Sequence, residues 1–232
     1  MTVVLRTWTL SVACLLSGAT PAASQIVARS AYLGDGSFEL PLAGSMSPRQ
    51  PNAIAVGPDG SIHIVDQLGQ VVVFDPAGTP VRSYGSGVLR KPLGVAIDEA
   101  GTPYVLDGDL KQVKVFDREG GELYAIGGPG RGPAQLDDPV GLALGPRGFV
   151  YVLDKGRSAV RIFGRDGLFV RQLPLGSNAR NAIAIAVGGD GRIFVVDKDR
   201  GPQVFSFPPF SDLLWAPRRW RIGCSPRESH IV

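Results

Sequence analysis

Residues 92–127 read PLGVAIDEAGTPYVLDGDLKQVKVFDREGGELYAIG, and this stretch decides the fold. Short apolar runs alternate with turn residues, and the same order of runs and turns begins again at Pro51, Pro139 and Ala182. The turns contain Asp-Gly pairs, as at 59–60 and 190–191, where Gly supplies the positive φ that a hairpin turn needs. We therefore predict four copies of a unit built from short antiparallel strands.

The register between the copies is consistent. The Asp that closes the second apolar run recurs at spacings of 41, 47 and 43 residues, as Asp66, Asp107, Asp154 and Asp197. We predict that the aromatic residue closing the third run recurs as Phe74, Phe116, Phe163 and Phe205. Four strands in a unit of about 40–45 residues are typical of a propeller blade, so the predicted fold class is an all-β propeller.

The blades resemble NHL repeats. The residues that carry this resemblance are Pro92, the strand 94–98 (GVAID), the strand 104–107 (YVLD) and the run 113–116 (VKVF). The Gly-rich connector 127–136 is also similar to that family's linker between blades, and the resemblance covers about residues 28–207. It implies four-stranded blades in a ring that usually has six. The turn after each Asp departs from the family's pattern, which often has Asn and Arg there.

We divide the chain into three segments, residues 1–24, 25–215 and 216–232. The first is predicted to be an export signal, because Arg6 precedes a short apolar run at 10–16 and an Ala22-Ala23-Ser24 cleavage site. We expect a secreted or periplasmic protein after cleavage, and we predict no transmembrane segment. A lipid anchor at Cys14 is the less favoured alternative, because the apolar run before it is very short.

The number of blades is unusual for this family. Residues 29–40 match 161–173 through an aromatic residue and an Asp-Gly turn, so they are predicted to form the outer half of a blade. Residues 216–232 contain no such turn and are predicted to be an irregular basic tail. Four full repeats and a half blade predict an open or truncated ring, with self-association through open blade edges. A non-functional gene fragment is a further interpretation.

Charge and composition exclude several classes of protein. The 31 Gly and 19 Pro argue against a helical bundle. The formal net charge of +3 comes from the arginines of the tail, so nucleic acid is not the expected partner. Two Cys and two His leave little room for a zinc site, which needs about four such ligands. We predict no cofactor, no metal and no catalytic residue.

Two groups of residues invite a chemical interpretation that we do not favour. The four repeated Asp residues could form an acidic ring for calcium, but Asp at the start of a turn also accepts hydrogen bonds from backbone N–H groups just ahead of it. We therefore predict that they are structural. His63 occupies the repeat position of Tyr104, Tyr151 and Phe194, so we predict that it packs between sheets rather than serving as a base or ligand.

Basic residues in the connections between strands and blades form the predicted binding face. They are Arg90, Lys91, Arg131, Lys155, Arg157, Arg180, Lys198 and Arg200. A propeller gathers such connections at one end of a rigid frame, where recognition usually resides. We therefore predict a non-enzymatic binding or scaffold module for a protein, peptide or glycan partner. The alternative is an enzyme of the six-bladed group, of the amidating lyase or metal-dependent lactonase type.

Overall fold

A computed structural model describes residues 48–176, residues 181–199 and the backbone of a strand at Gln203–Phe207. Within these residues the chain forms fifteen β-strands and two short 3₁₀ turns, Pro146–Gly148 and Lys155–Arg157. The predicted signal segment, Cys14, the half blade at 29–40, Arg180, Arg200 and the tail at 216–232 lie outside the described residues. Within the described part of the chain, no helix is long and apolar enough to cross a membrane.

The strands form four antiparallel sheets in the order of the sequence, and each sheet is one blade. Blade one contains β1 Pro51–Val56, β2 Ile62–Asp66, β3 Gln70–Phe74 and β4 Pro80–Tyr84. Blade two contains β5 Pro92–Ile97, β6 Pro103–Asp107, β7 Gln112–Phe116 and β8 Glu122–Gly127. Blade three contains β9 Pro139–Leu144, β10 Val150–Asp154, β11 Ala159–Phe163 and β12 Phe169–Pro174. Blade four contains, in its described part, β13 Ala182–Val187, β14 Ile193–Asp197 and β15 Gln203–Phe207.

The predicted fold class is confirmed, since each repeat unit forms one blade of consecutive antiparallel strands. The prediction that Phe205 closes the third run of blade four is wrong. Ile62 of blade one pairs with Phe74, and the equivalent Ile193 of blade four pairs with Phe207. The turn after Asp197 is longer than the turn after Asp66, so the third strand of blade four begins two residues later and its register moves with it.

The hydrophobic core lies between neighbouring sheets. Side chains alternate along each strand, so every central strand contributes apolar groups to the boundaries on both of its faces. Phe116 and Tyr84 pack at the boundary of blades one and two, and Leu136 and Phe163 pack at the boundary of blades two and three. Each blade is therefore stabilised mainly by its neighbours, as expected of a repeat protein.

Glycine allows one tight approach at the end of the blades where each second strand finishes. Gly69 has φ +94°, a left-handed conformation, and a Cβ on this residue would lie 2.7 Å from the carbonyl oxygen of Leu89. The turn after β2 can therefore lie directly against the connection between blades one and two. This contact brings together the two kinds of loop that form the binding face described below.

Candidate binding face

The two ends of the blades carry different connections. At one end lie the turns from the second to the third strand and the connections between blades, and we call this the loop end. At the other lie the turns from the first to the second strand and from the third to the fourth, such as Gly57–Ser61 with its 2.8 Å backbone hydrogen bond, and we call this the turn end. The strand pairing fixes this arrangement, because Pro51 at the start of β1 pairs with Asp66 at the end of β2.

A buried Asp organises the loop end of each blade. Asp107 is fully buried, and its Oδ2 accepts hydrogen bonds from the backbone N–H groups of Arg90 at 2.6 Å and Lys91 at 3.2 Å. Its Oδ1 accepts 3.0 Å bonds from the N–H groups of Asp109 and Leu110. One carboxylate therefore joins the connection from the preceding blade to the turn that follows its own strand. We call this arrangement the Asp clamp.

The bonds to the preceding connection recur in the other three blades, and the bond to the following turn recurs in blades one and four. Asp66 accepts bonds from the N–H groups of Arg49 and Leu68 at 2.9 and 3.0 Å. Asp197 likewise holds Asn181 before it and Asp199 after it. Asp154 accepts bonds from the N–H groups of Asp137 and Asp138, both in the preceding connection, and within the described residues it makes no side-chain bond to the turn that follows. Hydrogen bonds from backbone N–H groups favour the charged carboxylate and lower the pKa of Asp66 against the opposing effect of burial.

The turn interpretation of these Asp residues accounted for only half of the clamp. It expected bonds from N–H groups just after the Asp, but it missed those from residues 16 and 17 positions earlier. A signal was present, because the residue that begins the first strand precedes the Asp by a constant interval in all four units, from Pro51 to Asp66 and from Ala182 to Asp197.

The predicted basic residues that fall in the described part of the chain lie at the loop end. Arg90 and Lys91 are exposed beside the clamp of Asp107, and Lys198 is exposed after Asp197. Arg131 is exposed in the connector between blades two and three, where Arg157 donates a 2.6 Å hydrogen bond to the carbonyl oxygen of Gly130. Lys155, half-buried, donates its backbone N–H to the carbonyl oxygen of Asp138 at 2.8 Å.

Acidic residues interrupt this basic face. Asp109, Asp137 and Asp138 are exposed among the cations, and Lys111 lies 3.6 Å from a carboxylate oxygen of Asp137. The face is therefore one of mixed charge.

Sequence reasoning overlooked Arg161, which fixes the connector. Its side chain is 1% exposed in β11, at a position that carries Val72 in blade one. The guanidinium donates to the carbonyl oxygens of Gly132 at 3.0 Å and Gln135 at 2.6 Å, and to the side-chain oxygen of Gln172. Burial, together with the nearby Arg157, lowers the pKa of Arg161. The signal was a long basic side chain at a strand position that is apolar in blades one and four, where it carries Val72 and Phe205, while blade two carries Lys114 there.

His63 occupies a packing position. It is 2% exposed, its Nδ1 lies 3.1 Å from the hydroxyl of Tyr84, and its Nε2 lies 3.2 Å from the hydroxyl of Ser61. The Ser61 hydroxyl lies 2.6 Å from Oδ1 of Asp59. Burial lowers the pKa of His63 to about 4, so the ring is neutral at physiological pH. Both ring nitrogens already have partners inside the protein.

The turn end also carries a charged contact, which joins blades two and three. Arg165 lies 2.6 Å from the carboxylate of the buried Asp98, and the hydroxyl of Tyr124 donates to the carbonyl oxygen of Arg165. These bonds use the functional atoms to hold neighbouring blades together. Among the residues that the structure describes, no group of three or more His, Cys, Asp or Glu side chains is placed to hold a metal ion.

Comparison with known families identifies the repeat. The NHL repeat family matches residues 136–163, which extend from the connector through the clamp of Asp154 to the end of β11. The chain carries an NHL repeat. The predicted resemblance is thus confirmed, and the NHL segment includes both Arg157 and Arg161. The Drosophila melanogaster protein brain tumor is 30% identical over 80 residues, which make up 33% of this chain and 8% of that protein.

Solved structures share the propeller fold of this chain at low identity. Hydrazine synthase of Kuenenia stuttgartiensis is similar over 75% of this chain and 49% of its own, with 20% identity and a TM-score of 0.57. A catalytically inactive histidine-to-alanine variant of Staphylococcus aureus virginiamycin B lyase, solved with quinupristin, is similar over 75% of this chain and 60% of its own. Its identity is 14% and its TM-score is 0.53. The computationally designed protein Ika4 is similar over 75% of this chain and 99% of its own, with 16% identity and a TM-score of 0.55.

Proposed function

We propose that this NHL chain is a non-enzymatic binding module that holds a protein, peptide or glycan on the loop end of its blades. The observation that carries the proposal is the Asp clamp. It fixes the backbone of Arg90 and Lys91 through a buried carboxylate while their side chains remain exposed. Exposed groups on a fixed backbone lose little conformational freedom on binding, which favours recognition.

The position of His63 favours binding over catalysis. Virginiamycin B lyase is catalytically inactive as a histidine-to-alanine variant, so a histidine is important in that enzyme. In this chain His63 is buried, and its ring nitrogens are hydrogen-bonded to Ser61 and Tyr84 of the same blade. A general base must reach a substrate proton, and His63 is not accessible to one. The similarity to the lyases among the structural neighbours concerns the fold, and it does not assign their activity to this chain.

A binding screen with matched variants tests the proposal. Purified protein is screened against a displayed peptide library and a glycan array, and each ligand found is measured again by calorimetry. We expect the substitutions Lys155→Glu and Lys198→Glu at the loop end to lower the affinity of the protein for these ligands. The matched charge reversal Arg147→Glu, on an exposed residue of the turn end, should leave them unchanged. The proposal would be overturned if only Arg147→Glu changed the affinity for the ligands. It would also be overturned if no ligand bound the folded protein more strongly than it binds denatured protein.

We also propose that this module acts outside the cytoplasm. The support is the pattern at residues 1–24, which lie outside the described residues. Expression with the native N-terminus should give a mature chain that begins near Gln25, because signal peptidase cleaves after small residues such as those at 22–24. Intact-mass measurement of the exported protein tests this, and retention of Met1 contradicts it.

A further inference from the structure

The residue 17 positions before the clamp Asp is an arginine in three of the four repeats. Counting 17 positions back from the clamp Asp gives Arg49, Arg90, Asp137 and Arg180. In blades one and two the structure shows the backbone N–H of this arginine donating to the buried carboxylate, at 2.9 and 2.6 Å. The repeat therefore presents an arginine from a fixed backbone position at the same place in successive blades.

The clamped arginines of blades one and two belong to neighbouring connections. The side-chain amide of Asn52, three residues after Arg49, donates a 3.1 Å hydrogen bond to the carbonyl oxygen of Pro92, two residues after Arg90. This bond joins the start of β1 to the start of β5. Arg49, Arg90 and Lys91 are exposed, and their charged groups have no ion-pair partner among the residues that the structure describes.

An apolar side chain lies in the same place. Leu68 is 57% exposed, and its N–H is held at 3.0 Å by the same carboxylate, Asp66, that holds Arg49. The other large hydrophobic side chains that the structure shows as exposed lie in strands or on the turn end. Leu68 therefore gives the loop end an apolar contact directly beside its unpaired cations.

We propose that Arg49, Arg90 and Lys91 form a subsite that binds the carboxylates of an acidic protein segment, with Leu68 contacting an apolar side chain of that segment. The inference rests on the proposed binding function and names its partner class. Guanidinium groups pair with carboxylates through directed hydrogen bonds, and an arginine on a fixed backbone loses less freedom in doing so.

The mixed charge of the face favours a protein segment over nucleic acid. Asp109 and Asp138 are exposed among the cations and would repel a continuous row of phosphates. A peptide can instead place acidic and basic side chains opposite the matching residues. Single-stranded nucleic acid also binds through stacking on exposed aromatic rings, and the exposed large hydrophobic side chains in the described part of the chain include no aromatic residue.

The test compares three probes on matched variants. The probes are a short peptide of Asp and Glu with a central Leu, the same peptide with Asn and Gln in place of the acids, and a single-stranded DNA of equal charge. The variant Arg49→Gln/Arg90→Gln removes two cations from the loop end and leaves the clamp intact, because the arginines contribute only backbone N–H groups to it. The control Arg147→Gln/Arg192→Gln removes two exposed cations from the turn end.

We expect the acidic peptide to bind the parent protein and the control with equal affinity. The affinity of the loop-end variant should be about tenfold lower, corresponding to about 1.4 kcal/mol. Leu68→Ser should lower the affinity for the acidic peptide and leave the affinity for the DNA unchanged. Fluorescence anisotropy at two salt concentrations measures all three probes, and thermal unfolding confirms that the variants fold.

Two results would overturn the inference. One is that the acidic peptide does not bind the parent protein, or that it binds the parent and the Arg49→Gln/Arg90→Gln variant with equal affinity. The other is binding of DNA that is as tight as that of the peptide, which would show an unspecific polyanion site. If the library screen still gives ligands that respond to Lys155→Glu, the inference fails alone. If no loop-end ligand is found at all, the proposed function fails with it.

Discussion

His63 fills a position that the other blades fill with Tyr or Phe, and it is the ring at this position that can gain a proton. Burial lowers its pKa from 6.5 to about 4, so the unfolded chain binds this proton more readily than the folded protein. The free energy of unfolding is therefore highest above about pH 6.5, where His63 is neutral in both states, and it decreases as the pH falls from 6.5 toward 4. At about pH 5 the expected loss is about 2 kcal/mol relative to neutral pH.

Urea unfolding at about pH 7.5 and pH 5 measures this loss, with His63→Phe as the control. The variant carries the residue type that blade four has at this position, and its stability should change little between the two pH values. The lowered pKa values of Asp59 and Asp66 act in a different window, because their contributions are lost only as the pH falls below about 3.8. An equal pH dependence in parent and variant would contradict the assignment to His63.

Asp107 accepts four backbone hydrogen bonds while fully buried, so its removal leaves several N–H groups without partners. We expect Asp107→Ala to lower the free energy of unfolding by about 3 kcal/mol or more, since each buried donor left unpaired costs about 1–3 kcal/mol. The control is Asp166→Ala, which removes one 3.1 Å bond on an exposed turn and should cost less than about 1 kcal/mol. Equal losses in the two variants, measured by urea unfolding, would show that the clamp is not structural.

At the scale of the element, strands and turns were predictable because their signals are local. Alternating apolar residues and Asp-Gly turns specify a hairpin within about a dozen residues, so the second strands were located within one residue. The clamp depends on residues that are distant in sequence, and the register of β15 depends on the length of one turn. The basic residues could be assigned to the loop end, but the bonds of Arg161 that order their connector could not.

Arg161 makes the connector between blades two and three a fixed element. We expect Arg161→Ala to release the carbonyl oxygens of Gly132 and Gln135, and so to increase the mobility of the segment around Arg131. Trypsin should then cleave after Arg131 several times faster than in the parent. Arg147→Ala removes an exposed arginine from the turn end and should leave that rate unchanged. Equal cleavage rates in Arg161→Ala and the parent would show that the connector is held by other contacts.

At the scale of the whole molecule, blades one and two share one cluster of buried side chains. Phe116 of blade two packs against Tyr84 of blade one, with ring centroids 5.0 Å apart. We expect Phe116→Ala to lower the free energy of unfolding by about 3–5 kcal/mol. Hydrogen exchange should rise in both blades, since neither can open alone at this boundary. Leu168→Ala, at an exposed side chain, is the control and should change stability by less than about 0.5 kcal/mol. Faster exchange in blade two alone would contradict the shared boundary.

The Asp clamp also determines where this chain can accept foreign sequence. The clamp closes an interval of the same length in blades one, two and three, whereas successive clamps are separated by 41, 47 and 43 residues. All variation in length therefore falls outside the closed interval. Ser86 and Gly87 lie outside it at the loop end and both are exposed, and the φ of +78° at Gly87 requires that this glycine be kept beside an insertion. A guest peptide inserted there would be displayed beside Arg90 on a rigid scaffold, so the site is suited to the grafting of new recognition loops.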